Sequence, residues 1–310
     1  MDKIFAEMFS KQPDEIINGD YFCNVPWYES EYLADVSSEV IERQEIRSKS
    51  TFKSEWEKRT LENDSDWLEI LQSINTPFMD IASSEYMGLA SYILKLNPNT
   101  PCLIADIDPN TIKRLRSRID ENLSDYNISL ASFDNVEMPL KDDSIDCITA
   151  IEGISASAVG RAVNSSVMSL DEFTASCERK LLDEVYRVLK PGGCFITVEP
   201  ELSWDFDRQK IENYFSEHEK LFGLYTYDVI WNRFTDFMSW KEKYAMSDAK
   251  IIAAGFEVES KKIHTEQFGV NQVARYFSAT GEPINIENHD ESKDIVKLYS
   301  NMILYVLRKR

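Results

Sequence analysis

The sequence predicts an α/β fold: a doubly wound, mostly parallel sheet with helices on both faces, a helical N-terminal cap and a helical insertion. Three observations predict it. From Thr76 onward, short apolar runs alternate with helical segments, the pattern of a parallel sheet. Leu181 to Glu199 reads as an amphipathic helix that passes through Lys190-Pro191-Gly192-Gly193 straight into an apolar strand. The strand-like runs end in acidic or amide residues, which is where open α/β sheets bind their ligands.

The elements follow in order. Residues up to about 75 are helical in pattern, charged, and punctuated by Trp27, Tyr28, Tyr32, Trp56 and Trp67. They read as a lead-in or lid over a main domain spanning 76–310. Pro77 to Ile81 is the first strand, and Tyr86 to Leu96 is a helix ended by Asn97-Pro98-Asn99. Cys102 to Ala105 is the second strand and closes on Asp106. Asp108 then caps a helix that starts at Pro109. Ile128 to Phe133 and Ile145 to Ile151 are the third and fourth strands. In the next helix Lys190 is expected in the last turn, with Pro191 blocking continuation and Gly192 taking a left-handed conformation. Cys194 to Glu199 is the fifth strand, followed by an aromatic-rich helical insertion over about 201–250. Ala253 to Val258 turns from a helix end into a sixth strand, and Met302 to Leu307 is the seventh.

Composition narrows the function. There are 34 Lys and Arg against 54 Asp and Glu, a formal net charge of −20. Such a surface repels phosphate backbones and anionic lipid, so nucleic acid and membranes are not expected partners. The five cysteines are scattered without a C-x-x-C pair, and three fall in apolar runs, as suits buried thiols in a reducing cytoplasm. The start, Met1-Asp2-Lys3-Ile4-Phe5, has no signal-peptide character, and no stretch approaches a membrane span. No His/Cys/Asp grouping has metal-ligand spacing.

Arg187-Val188-Leu189-Lys190-Pro191-Gly192-Gly193 before an apolar strand resembles the segment preceding strand five of class I S-adenosylmethionine (SAM)-dependent methyltransferases. Asp134 to Asp146, with Met138-Pro139, the polar Lys141-Asp142-Asp143-Ser144 turn and Ile145-Asp146, is similar to the family's link into strand four. Ala254-Gly255-Phe256 looks like its turn into strand six. The resemblance covers about 77–199 well, the last two strands loosely, and neither the first seventy-odd residues nor the insertions. It implies a seven-stranded Rossmann-like sheet with the last strand antiparallel, SAM as cofactor, and methyl transfer to a small molecule.

It also implies roles for particular residues. Asp80, Ala82 and Ser84 follow strand one in the place of the family's glycine loop. Asp106 and Ile107 end strand two, where a carboxylate accepts the hydroxyls of a ribose. Asp134 and Asn135 follow strand three, beside an adenine amino group, and Ile151 ends strand four. Glu152, Trp204 and Tyr225 are the candidates for touching substrate, and no catalytic base is named. His264 reads as a surface histidine. One motif departs from the family: Ala82, Ser84 and Tyr86 stand at the three glycine positions, with Glu85 between the last two. Glycines there permit positive φ and close approach of backbone to ligand. Two readings therefore stay open: a methyltransferase with an altered loop, or a non-catalytic relative that has lost SAM and serves as a binding or assembly module. A nicotinamide-dependent oxidoreductase is disfavoured by the lack of Gly-x-Gly-x-x-Gly.

Overall fold

The computed structural model describes residues 3–23, 64–83, 87–151, 153–154, 170–205, 246–268 and 297–310. Within them one mixed sheet runs in the order β1-β2-β5-β4-β3-β6-β7-β9-β8. Its central strands are β3 (Phe78–Ile81), β4 (Cys102–Asp106), β5 (Ile128–Ser132), β6 (Ile145–Ile151) and β7 (Leu189–Asp205). All five are parallel. The last strand, β9 (Lys297–Lys309), is antiparallel to both β7 and β8 (Phe256–Phe268). The α/β class, the parallel centre and the antiparallel final strand are as the sequence predicts.

Helices cover both faces. On one side α1 (Lys3–Ala6), α5 (Leu170–Val188) and α6 (Asp248–Ala253) contribute Phe5, Leu181, Val185 and Ile251 to a core with Met79, Ile148 and Phe195. On the other, α2 (Ser65–Gln72), α3 (Ala90–Leu96) and α4 (Pro109–Asn122) supply Trp67, Leu71, Ile93 and Leu115 against Phe78, Ile104 and Ile196. Two-sided burial explains why the central strands read as continuous apolar runs rather than alternating ones. Asp108 caps α4 by accepting from the Asn110 amide at 2.8 Å, and Pro109 fills the first helical position.

Three expectations are corrected. The sheet has nine strands among the described residues, not seven, and the N-terminal segment is not wholly helical. β1 (Glu15–Ile17) and β2 (Asp20–Phe22) form a hairpin that extends the sheet, β2 lying parallel to β5. Asn18 and Gly19 both take positive φ, 52° and 84°, the geometry of a tight two-residue turn. Buried Asp20 then holds Arg116 of α4 through both its oxygens, which fastens the hairpin to the domain. Second, Lys190 lies beyond the end of α5, where it pairs with Asp146 at 2.7 Å. The basic residue in the last turn is Arg187, which binds Glu184, Asp142 and the carbonyls of Met138 and Leu140, pinning the loop before β6. Third, β7 runs through Asp205, so the first residues of the expected helical insertion are strand paired to β9. The remainder of that insertion, 206–245, lies outside the described residues.

The Lys-Pro-Gly-Gly segment is a bulge at the start of β7, where the pairing with β6 jumps from Ile145↔Leu189 to Cys147↔Cys194. Gly192 takes φ +76° in open space. Gly193 is needed for closeness: a Cβ there would sit 2.8 Å from the Lys190 carbonyl oxygen and 3.0 Å from that of Asp146. Gly193→Ala should therefore lower stability by about 1–3 kcal/mol, the usual cost of overpacking, read as a fall in the urea midpoint at unchanged slope.

Candidate functional site

The carboxyl ends of β3, β4, β5 and β6 meet at one edge of the sheet, where the strand order reverses between β3 and β6. Asp80 lies in this edge and is fully buried. Its carboxylate accepts the Ser83 hydroxyl at 2.5 Å and the Thr149 hydroxyl from the facing position of β6. It also accepts the backbone N–H groups of Leu89 and Ala90. Leu89 is the N-cap residue of α3 and has no side chain able to cap, so Asp80 supplies the missing acceptor from across the loop. Gly88 makes room for this: a Cβ on it would lie 2.6 Å from Asp80 Oδ2. Burial pushes the Asp80 carboxyl up to about 7, against the pull of its four donors.

The substituted glycine loop is described only in part. Ser84, Glu85 and Tyr86 lie outside the described residues. Ala82, in the first glycine position, takes φ +53°, so the backbone follows a left-handed path despite the methyl group. Met87 and Gly88 also have positive φ, 64° and 44°. Ala82 packs against Gly153: a Cβ on Gly153 would approach the Ala82 Cβ to 3.3 Å and the Ala150 Cβ to 2.9 Å. Small residues on both sides thus let the loops after β3 and β6 come together.

Asp106 ends β4, almost buried, with Oδ1 accepting the Asp108 amide at 2.9 Å. Ile107 follows, and its carbonyl accepts the Ser132 hydroxyl. Beyond β5, Asp134 Oδ1 accepts the Val136 amide at 2.9 Å, an Asx turn that shapes this loop. Asn135 is 2% exposed, and its Oδ1 is a buried acceptor with no hydrogen-bond partner among the described residues. Ile151 ends β6 and is buried. Glu152 and Tyr225 lie outside the described residues, and Trp204 is placed only as a strand position opposite Leu298. His264 contacts Asp64 at 3.4 Å and the Trp67 ring, on the edge strand rather than in this group.

Three contributors were not singled out as site residues from the sequence. Thr149 was legible as the polar residue inside the apolar run Ile145–Ile151. Gly153 carried no pattern to mark it. Glu199, noted only as the end of a strand, is 1% exposed and accepts the Thr197 hydroxyl at 2.8 Å and the Ile154 amide at 3.4 Å.

Residues 87–197 match the family model of the methyltransferase domain. The match opens at Met87, just past the substituted loop, and takes in α3 through the first half of β7. No curated protein matches the chain. Solved structures similar to it include a Bacillus halodurans C-125 protein assigned as a methyltransferase, 16% identical, covering 78% of this chain and 96% of that one, with a TM-score of 0.47. Another is the YcgJ protein of Bacillus subtilis, 15% identical, covering 78% and 97%, with a TM-score of 0.43. A third is geranyl diphosphate C-methyltransferase from Streptomyces coelicolor A3(2), in complex with geranyl diphosphate and S-adenosylhomocysteine. It is 12% identical, covers 79% and 78%, and has a TM-score of 0.43.

Two outcomes follow from Asp80 and Ala82. Because the folded domain holds the Asp80 proton more tightly than the unfolded chain does, the stability tied to it is complete below about pH 4. It is lost as the pH rises toward about 7, by on the order of a few kcal/mol. Urea titrations from pH 4 to 8 should show a smaller decline over that window in Asp80→Asn than in the native chain. Ala82→Gly relieves a left-handed alanine and should raise stability by up to about 1 kcal/mol, seen as a higher unfolding midpoint.

Proposed function

We propose that the protein is a SAM-dependent methyltransferase that transfers a methyl group to a small molecule. The observation that carries this is the methyltransferase-domain match over 87–197; Asp106 at the end of β4 and Asp134 and Asn135 just past β5, on the strands next to the reversal point, support it. The described residues fit the cofactor. Asn135 offers a buried acceptor in want of a donor, which suits an adenine amino group. Asp106 sits where ribose hydroxyls would be accepted, with Ile107 and Asp134 beside it, and Ile151 supplies an apolar wall. The left-handed path at Ala82 keeps the backbone course that a glycine would take there. Asp80 contributes by holding Ser83, next to Ala82, through its hydroxyl.

When bound, SAM supplies an electrophilic methyl on a positively charged sulfur. That methyl would be open to a nucleophile on the substrate, with the thioether as the group left behind. The chain's part is to position the reactants and exclude water, with no dedicated base required. Glu152, Trp204 and Tyr225 remain the substrate-facing candidates in this proposal, with the insertion of about 201–250 and the N-terminal segment as the cover. A reducing, cytoplasmic setting belongs to the same reading; its support is five free thiols.

One observation favours the second reading, a relative that has lost SAM: Asp80 is wholly engaged inside the protein. Calorimetry with S-adenosylhomocysteine separates the two. Binding is expected, and Asn135→Ala should weaken it about five- to tenfold with little change in the unfolding midpoint of the ligand-free protein, since its Oδ1 has no partner among the described residues. Neither heat nor a thermal shift at millimolar ligand would leave the non-catalytic reading standing.

A further inference from the structure

The opposite end of the same strands holds chemistry that methyl transfer does not use. A groove of about 630 Å³ opens there, lined among others by Cys147, Cys194, Lys190, Glu259, Ile196 and Arg308. Cys147 and Cys194 are direct register partners on the parallel strands β6 and β7. Arg308 is the register partner of Cys194 on β9, so the three residues form one row across the sheet. Both cysteines pack on the same core, and the two thiols are hydrogen-bonded to each other. Neighbouring strands lie about 4.8 Å apart, inside the Cα separation of about 4.4–6.8 Å that a disulfide spans. The pair differs in access: Cys147 is buried, whereas Cys194 is partly open to the groove. The Lys-Pro-Gly-Gly bulge, with Gly192 exposed and Gly193 carrying no side chain, leaves the approach to Cys194 uncrowded.

We propose that Cys147 and Cys194 are a redox modification site, a dithiol that peroxides oxidise to a cross-strand disulfide. Cys194 is the attacking group. Its thiol is shifted toward the thiolate by the hydrogen bond from Cys147 and by the Arg308 guanidinium, while the hydrogen bond to Cys194 and then burial push the Cys147 thiol up. The Cys194 sulfur attacks the peroxide: an S–O bond forms, the O–O bond breaks, and the departing oxygen leaves as water after taking a proton. The Cys147 sulfur then displaces the sulfenic oxygen. An S–S bond forms, the S–O bond breaks, and a second water leaves with the Cys147 proton. Two thiols lose two electrons in all, and hydrogen peroxide is reduced to two waters. The site is independent of the methyl-transfer proposal, since it needs no cofactor.

The test uses the full chain and hydrogen peroxide at slight excess, followed by thiol titration and peptide mass mapping. The native protein should lose two of its five thiols, show the Cys147 and Cys194 peptides joined, and recover both thiols with dithiothreitol. Cys194→Ser should keep all its remaining thiols, and Cys147→Ser should leave a sulfenic acid at Cys194 that dimedone traps. Retention of all five thiols by the native protein overturns the proposal. So does a link from Cys194 to any other cysteine or to a second chain, or an equal thiol loss in Cys194→Ser. The native peptide map decides the matter should either variant fail to fold.

Discussion

Asp80 is a carboxylate buried at the centre of the sheet, and the site edge is organised around it. It is the residue through which β3, β6, the loop after β3 and the start of α3 are joined. Burial opposes its charge, and four donors favour it; the outcome is a group poised near neutrality. Because the Leu89 and Ala90 amides depend on it, α3 begins where Asp80 places it, not where a local cap would. That in turn sets the turn through Met87 and Gly88, and with it the path of the loop at Ala82.

The substituted glycine motif looks different in this light. The left-handed backbone is retained by Ala82, held between Asp80's network below and Gly153 alongside. A residue that costs about 1–2 kcal/mol in this conformation persists when its neighbours leave no other path. At Ala82, alanine in place of glycine therefore leaves the backbone left-handed. On the next two strands, Asp106 stands at the end of β4 and Asn135 lies just beyond β5, both buried.

The two ends of the sheet have separate characters. At the carboxyl end, Asp80, Asp106, Asp134 and Asn135 lie at or just past strand ends near the point where the strand order reverses between β3 and β6. At the amino end of β6 and β7, the Lys-Pro-Gly-Gly bulge shifts the register and sets Cys147 opposite Cys194. The first end was legible as a set of strand-terminal residues. The second was not, because Cys147 and Cys194 are far apart in sequence and each looked like an isolated buried thiol.

The alternation of strands and helices, the Asp108-Pro109 helix start and the positive-φ glycine after α5 were readable from the chain, because period, caps and breakers are local properties. So was the hairpin turn Asn18-Gly19, a local signal overshadowed by the helical, charged texture around it. Asp106, Asp134 and Asn135 were nameable as candidates for the same reason: each sits just past an apolar run. What only the tertiary structure decided is which of these groups has something left to bind. It engages Asp80 with α3, Ser83 and Thr149, gives one oxygen of Asp134 to Val136, and leaves Asn135 Oδ1 buried without a partner among the described residues. The sequence determines which polar groups arrive at the edge. Packing from distant strands determines which arrive already satisfied, since a buried hydrogen bond depends on neighbours that the local sequence does not contain.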